Sequence, residues 1–350
     1  MPEPPRQDVL RSPHPPSARD RLAATADGPA LRAMARRLGR WEGVLVLDYH
    51  RIGLPAGEPW DPALWSASPA TLDEHLAFLA READVIGPGD IAGIRGEGRR
   101  VLITFDDGYR DSHDVAFGLL RRHGLTATFF LVTGMLDDPR VLWWDEISWM
   151  LRTSERPTLH PDGTVADVAL RLDEAHLERS IAAVVSRFKR TPATQAEAFV
   201  DALGQACGTG RCDPALGQGL WMTWDMARAM RDAGMTFGGH SVTHPMLGGL
   251  PRDAQVAEVA GCAARLQAEL GGPMRWFAYP VGTPGAFTSI TKQVVREHGA
   301  ELAFAFNGGY VAGPIDDPME VPRLNVSPRT TPARFRANVR APRWFVPAMR

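Results

Sequence analysis

Short apolar runs alternate with helix-length amphipathic stretches along most of this chain, and that rhythm leaves few folds open. "GVLVLDYH" (43–50) reads as a strand. "SPATLDEHLAFLARE" follows, with Ser68 as N-cap, Pro69 at the first helical position and Leu72, Leu76 and Leu79 at helical spacing. "RRVLITF", "DSHDVAFGLLRRHG" (closed by Gly124) and "TATFFLV" continue as strand, helix and strand. After a long interruption, "TWDMARAMRDAG", "MTFGGH", "RDAQVAEVAGCAARLQAELG", "RWFAYPVG", "TSITKQVVREHG" and "LAFAF" resume the alternation. Strands and helices of these lengths imply parallel strands joined by crossovers, so the fold class is α/β, as a barrel or an open sheet.

The interruption, about residues 141–220, carries helical patterns without a convincing strand and is expected as a helical insertion packed beside the core. Residues 1–26 are rich in proline, arginine and polar residues and read as a disordered tail. A short helix from Asp27 to Arg40 then opens a single domain at 27–350. A formal net charge of -2 over 350 residues gives no reason to expect nucleic acid or an anionic membrane as partner. No apolar run approaches the roughly 18 residues of a membrane span and the first residues lack the apolar core of a secretory signal, so a cytoplasmic location is expected. Cys207, Cys212 and Cys262 are too few for a disulfide framework and read as free thiols.

In α/β sheets sites gather at the carboxyl ends of the strands, so the strand ends carry the chemistry. The first ends in His50, the next in Asp106 and Asp107, another in His240 followed by His244, and another in "AYPVG". Successive strand residues face opposite ways, and Gly108 is expected to turn the chain so that both carboxylates lean over one mouth. An Asp-Gly turn and two solvent-facing histidines would each look the same in isolation. Together, Asp107, His240 and His244 make a mixed nitrogen and oxygen set that leaves a metal an open position. Such a set serves a zinc-like ion in hydrolysis or iron in an oxygenase. The alternation of strands with helices favours hydrolysis.

"TFDDGYRD", "HSVTH" and "FAYPVG", in this order, resemble the first three motifs of the NodB-homology polysaccharide deacetylases (carbohydrate esterase family 4). The resemblance extends from about "VLDYHRIG" to "VPRLNV". It implies a distorted (β/α) barrel, a divalent metal (Zn2+ first, with Co2+, Mn2+ or Ni2+ as alternatives) and an N-acetylated glycan or glycoconjugate as substrate partner. Carried over, Asp106 is the general base, and Asp107, His240 and His244 are the metal ligands. The "YPVG" turn, with Tyr279 and Val281, lies by the oxyanion.

Two positions depart from the family pattern: Ala278 stands where many members have arginine, and no histidine follows His298. The branch with "YHRI" and "YPxG" fits more closely. There His50 is expected to act as acid or to orient substrate, and Arg323 to supply a guanidinium beside Asp106. Tyr109 is expected to touch substrate or to hold the loop, His113 to be structural, and Trp143, Trp144 and Trp149 to be core or a sugar platform. A deacylase of another amide or ester, or an inactive carbohydrate-binding protein, are the alternative functions. Intact Asp106, Asp107, His240 and His244 argue against the latter.

Overall fold

The strands show how period-two alternation builds a barrel with a polar upper layer. The computed structural model of the chain describes residues 40–346 together with Arg21 and Ala23. The expected tail (1–26) and the helix from Asp27 lie outside the described residues, apart from Arg21, Ala23 and Arg40. Strands β1 (Val44–Tyr49), β2 (Arg100–Phe105), β3 (Thr128–Leu131), β4 (Thr236–Gly239), β5 (Trp276–Ala278) and β6 (Leu302–Ala305) pair in that order, all parallel. The closing segment is broken at Arg323: β7 (Val321–Pro322) pairs with β6, and β8 (Leu324–Asn325) pairs with β1, Leu324 opposite Leu47. The sheet thereby returns to its first strand as a barrel.

Alternate residues then sort themselves. Val44, Val46, Leu102, Phe130, Ala278, Phe304 and Val321 form one buried cluster, the barrel interior. Leu45, Leu47, Tyr49, Val101, Ile103, Phe105, Phe129 and Ala303 face the other way, into the cluster shared with the surrounding helices. Extending the interior register toward the carboxyl ends brings in Asp48, Thr104, Asp106 and Arg323, all buried. Apolar layers fill the lower barrel, as in packed barrel cores generally. In β4 the interior position is Gly238, where a Cβ would sit 2.6 Å from the Phe130 ring and 2.7 Å from the Trp276 carbonyl.

The crossover helices start where the sequence signals them. Helix α1 (Pro69–Glu82) is capped by Ser68, whose hydroxyl accepts from the Thr71 N–H. Three later helices, α5 (Trp224–Asp232), α7 (Ser289–Glu297) and α8 (Pro332–Arg340), are capped in the same way by Thr223, Thr288 and Thr331. Each such cap contributes about 1 kcal/mol. Helix α6 (Arg252–Leu270) is the longest of the described residues, and none is long and apolar enough to cross a membrane. The helix expected after β2 differs in winding: Ser112–Phe117 is a π-helix that tightens into Gly118–Arg122. Its entry is already tied, Asp111 accepting from the Ile52 N–H and Arg110 donating its N–H to Leu220, and the wide turn accommodates that fixed approach.

The interruption forms α2 (Trp143–Thr153), α3 (Leu177–Phe188) and α4 (Ala196–Cys207). These bury a cluster of their own, including Ile147, Met150, Leu151, Val184, Phe188, Phe199 and Leu203. It also contains strands where none were expected: Thr158–Leu159 pairs with Leu170–Arg171. Two residues per strand are too few for an alternation to be visible in sequence.

Candidate active site

The turn after β2 is made by Asp107 itself. Its φ is 71°, Gly108 follows at 87°, and the Gly108 N–H donates to the Asp106 carbonyl at 2.9 Å. The turn therefore begins one residue earlier than the glycine suggested, and this aims both carboxylates at one mouth. A matching three-residue turn follows β5, with Val281 at φ 62° and the Gly282 N–H donating to Pro280 at 2.7 Å. Ser241 and His244 are held at φ 66° and 60° in the loop after β4. These are the only non-glycine residues with positive φ among those described; all four follow strand ends, and Asp107, His244 and Val281 line one cavity. Backbone of this kind persists only where the surroundings over-determine it.

His240 Nε2 and His244 Nε2 each lie 3.5 Å from Asp107 Oδ1. The three ligand atoms fall within 4.8 Å of one another, and all three residues are buried. His240 Nδ1 donates to the Ala278 carbonyl at 2.8 Å, which leaves the Nε2 lone pair facing Asp107. Burial, and then the neighbouring His240, push His244 down to about 3, so it offers a neutral ring. At His240 burial acts downward too, but the Asp106 and Asp107 carboxylates outweigh it and raise the ring. Asp107 Oδ2 and His244 Nδ1 are buried without a hydrogen-bond partner. Two imidazoles and a carboxylate that converge in this way, with one carboxylate oxygen unsatisfied, fit a divalent cation. Glu258 of α6 steadies the loop, accepting from the Val242 and Thr243 N–H groups at 2.9 Å and from the Thr243 hydroxyl at 2.6 Å.

Beside this trio Arg323 donates to both oxygens of Asp106 at 2.6 Å and to Asp48 Oδ1 at 2.9 Å. Arg323 is 2% exposed, so it is an interior ion pair and not one on the rim. Burial alone would raise the Asp106 carboxyl, but the bidentate guanidinium overrides it and holds the group well below the usual carboxylate range. Asp48 takes the opposite course: burial dominates over Arg323 and pushes it up to about 6. Asp48 and Glu258 were not singled out from sequence. Asp48 left one signal, a lone acid inside the apolar run "VLVLDY".

A cavity of about 200 Å³ opens over these groups, lined among others by His50, Asp106, Asp107, His240, His244, Tyr279, Val281 and Arg323. His50 is half-buried there, its N–H donating to Ser66 Oγ. Val281 brings a backbone N–H that no acceptor takes among the described residues. Tyr279 reaches the wall, but its hydroxyl donates to the Met319 carbonyl at 2.9 Å and is spent there.

Tyr109 does not line the cavity. It is fully buried, stacked on Trp221 at 4.4 Å, and its hydroxyl donates to Asp145 at 2.6 Å while accepting from Trp144 Nε1 at 2.8 Å. Of the two expected roles, its place outside the cavity lining fits holding the loop. His113 pairs with Asp114 away from the cavity, and the three cysteines are free and buried. Of the tryptophans, Trp143 and Trp144 line the cavity, whereas Trp149 packs on the insertion cluster.

A (β/α) barrel with a carboxylate and two histidines at its strand ends, beside a second, guanidinium-fixed carboxylate, is an arrangement that fits hydrolytic chemistry. Residues 93–157 and 180–303, more than half of the chain, match the family described as polysaccharide deacetylase. The chain belongs to that family and is a polysaccharide deacetylase. No curated protein matches it. Three solved structures share the fold. The Streptococcus pyogenes deacetylase PplD in complex with acetate is 17% identical at TM-score 0.55, over 83% of this chain and 96% of that one. IcaB from Ammonifex degensii is 21% identical at 0.54, over 86% and 98%. A de-N-acetylase from Aggregatibacter actinomycetemcomitans is 18% identical at 0.51, over 82% and 96%.

Proposed function

We propose that the protein hydrolyses the N-acetyl group of an amino sugar in a glycan or glycoconjugate, with Asp107, His240 and His244 holding a divalent ion, Zn2+ by its donor set. The observation that carries this reading is the ligand-like trio standing beside a carboxylate fixed at both oxygens by Arg323. The ion would supply a water of lowered pKa and polarise the acetyl carbonyl.

Asp106 takes the proton as the water oxygen attacks the carbonyl carbon. Arg323 keeps that carboxylate ionised and oriented, which a base needs before it can accept. Charge develops on the carbonyl oxygen, and the free Val281 N–H offers it a hydrogen bond. When the carbon–nitrogen bond breaks, the amine must gain a proton. His50, at the end of β1 and on the cavity lining within 4.8 Å of Asp106, gives it in this reading. Acetate and the free amino sugar are the products. Residues 27–350 act in this reading as one catalytic domain with the insertion at about 141–220.

The test is acetate release from N-acetylated amino-sugar oligomers, with metal-stripped protein and Asp106→Asn as controls. Both controls are expected to lose activity, Asp106→Asn by about 10²- to 10⁴-fold with its metal content intact. Release that survives both would refute the mechanism.

A further inference from the structure

The insertion stands across the mouth of the site. The barrel supplies the floor of the cavity, and the facing wall is Trp143 and Trp144 of α2, Val185 of α3 with Lys189 just past its end, and Leu64 of the loop after β1. That wall is held in place. Trp143 is stacked on Phe188 at 4.3 Å, Trp144 meets the His244 ring edge-on at 4.5 Å, and the Asp61 N–H ties the Leu64 loop to Asp145 at 2.8 Å. The cavity, about 200 Å³ and partly open to solvent, is below the roughly 300 to 1,000 Å³ of pockets that enclose a drug-sized ligand. A chain bound through an interior ring needs an open trough on both sides of that ring. This cavity has room for one ring and its acetyl arm.

We propose that the insertion turns the barrel mouth into a one-ring pocket, so that the enzyme removes acetyl groups from a terminal N-acetylated sugar and not from rings inside a chain. The proposal rests on the amide-hydrolysis reading above. The wall, and not the reacting groups, then selects the substrate's end.

The probes are the β-1,4-linked tetramer and hexamer of N-acetylglucosamine, labelled with ¹⁸O at the reducing end. Tandem mass spectrometry locates the lost acetyl, and saturation-transfer NMR reports which rings touch the protein. Expected is loss of one acetyl at one end of both oligomers, with saturation concentrated on that ring. Trp143→Ala and the milder Leu64→Ala, each checked by its melting temperature, are expected to raise the interior-to-terminal product ratio by about tenfold. Acetate from interior rings of the wild-type protein overturns the pocket and leaves the hydrolytic reading standing. Terminal-ring saturation without acetate supports the pocket and counts against hydrolysis. Neither acetate nor saturation overturns the pocket for this class of sugar.

Discussion

Asp106 and Asp107 are adjacent in sequence and differ in partner: one carboxylate is gripped by a guanidinium, the other faces two imidazoles. The difference predicts a pH effect. Asp106 in the folded protein lies below the ordinary carboxylate range, so the ionised base persists as pH falls toward that depressed value. Replacing Arg323 by glutamine removes the largest influence opposing burial and raises the carboxyl. The acid limb of the pH–rate profile should therefore move to higher pH, with metal content unchanged, and an unmoved limb would show that Arg323 does not tune the base. The pair itself was legible because a carboxylate at the end of an apolar run is conspicuous. The Asp48 partner of Arg323 was not, because 275 residues separate them and only barrel closure brings them together. The choice between the two roles expected of Tyr109 was not legible for a related reason: sequence adjacency to the base says nothing about facing, and one residue past a tight turn the side chain enters a different cluster.

Two elements hold the site from behind. Through Glu258, helix α6 accepts three hydrogen bonds from the histidine loop. Glu258→Ala should weaken metal binding by about 10- to 100-fold in a titration while the far-ultraviolet circular dichroism stays native. Helix α2 buries Asp145 between Tyr109 and the Asp61 N–H, and burial raises that carboxyl from 3.8 to about 7 against the pull of Arg51. A raised carboxyl stabilises the fold fully below its unfolded pKa, and that contribution is lost as pH rises through the folded one. Thermal melts should therefore show the wild type losing ground to Asp145→Asn between about pH 4 and 7. A gap independent of pH would mean that the carboxyl does not titrate there. Helical period made the helical character of the stretch that forms α2, α3 and α4 readable. Their position across the mouth was not readable, since an amphipathic pattern reports that a face is buried and not what covers it.

For the molecule as a whole, alternation of strand and helix was enough for the α/β class, and the choice of a barrel over an open sheet came from the family resemblance. Closure was hidden in "VPRLNV", where two residues pair to one side and two to the other of Arg323. If the buried trio holds a cation in the native state alone, chelation should lower the melting temperature and resupplied Zn2+ restore it, by about 2.7 kcal/mol at a hundredfold excess over Kd. Equal melting with and without chelator would argue against the trio as a metal centre. The four left-handed residues carry a different consequence. Asp107, Ser241, His244 and Val281 each hold about 1–3 kcal/mol of backbone strain, gathered at one end of the barrel. Relaxing any of them would favour folding at the expense of the geometry of this rim.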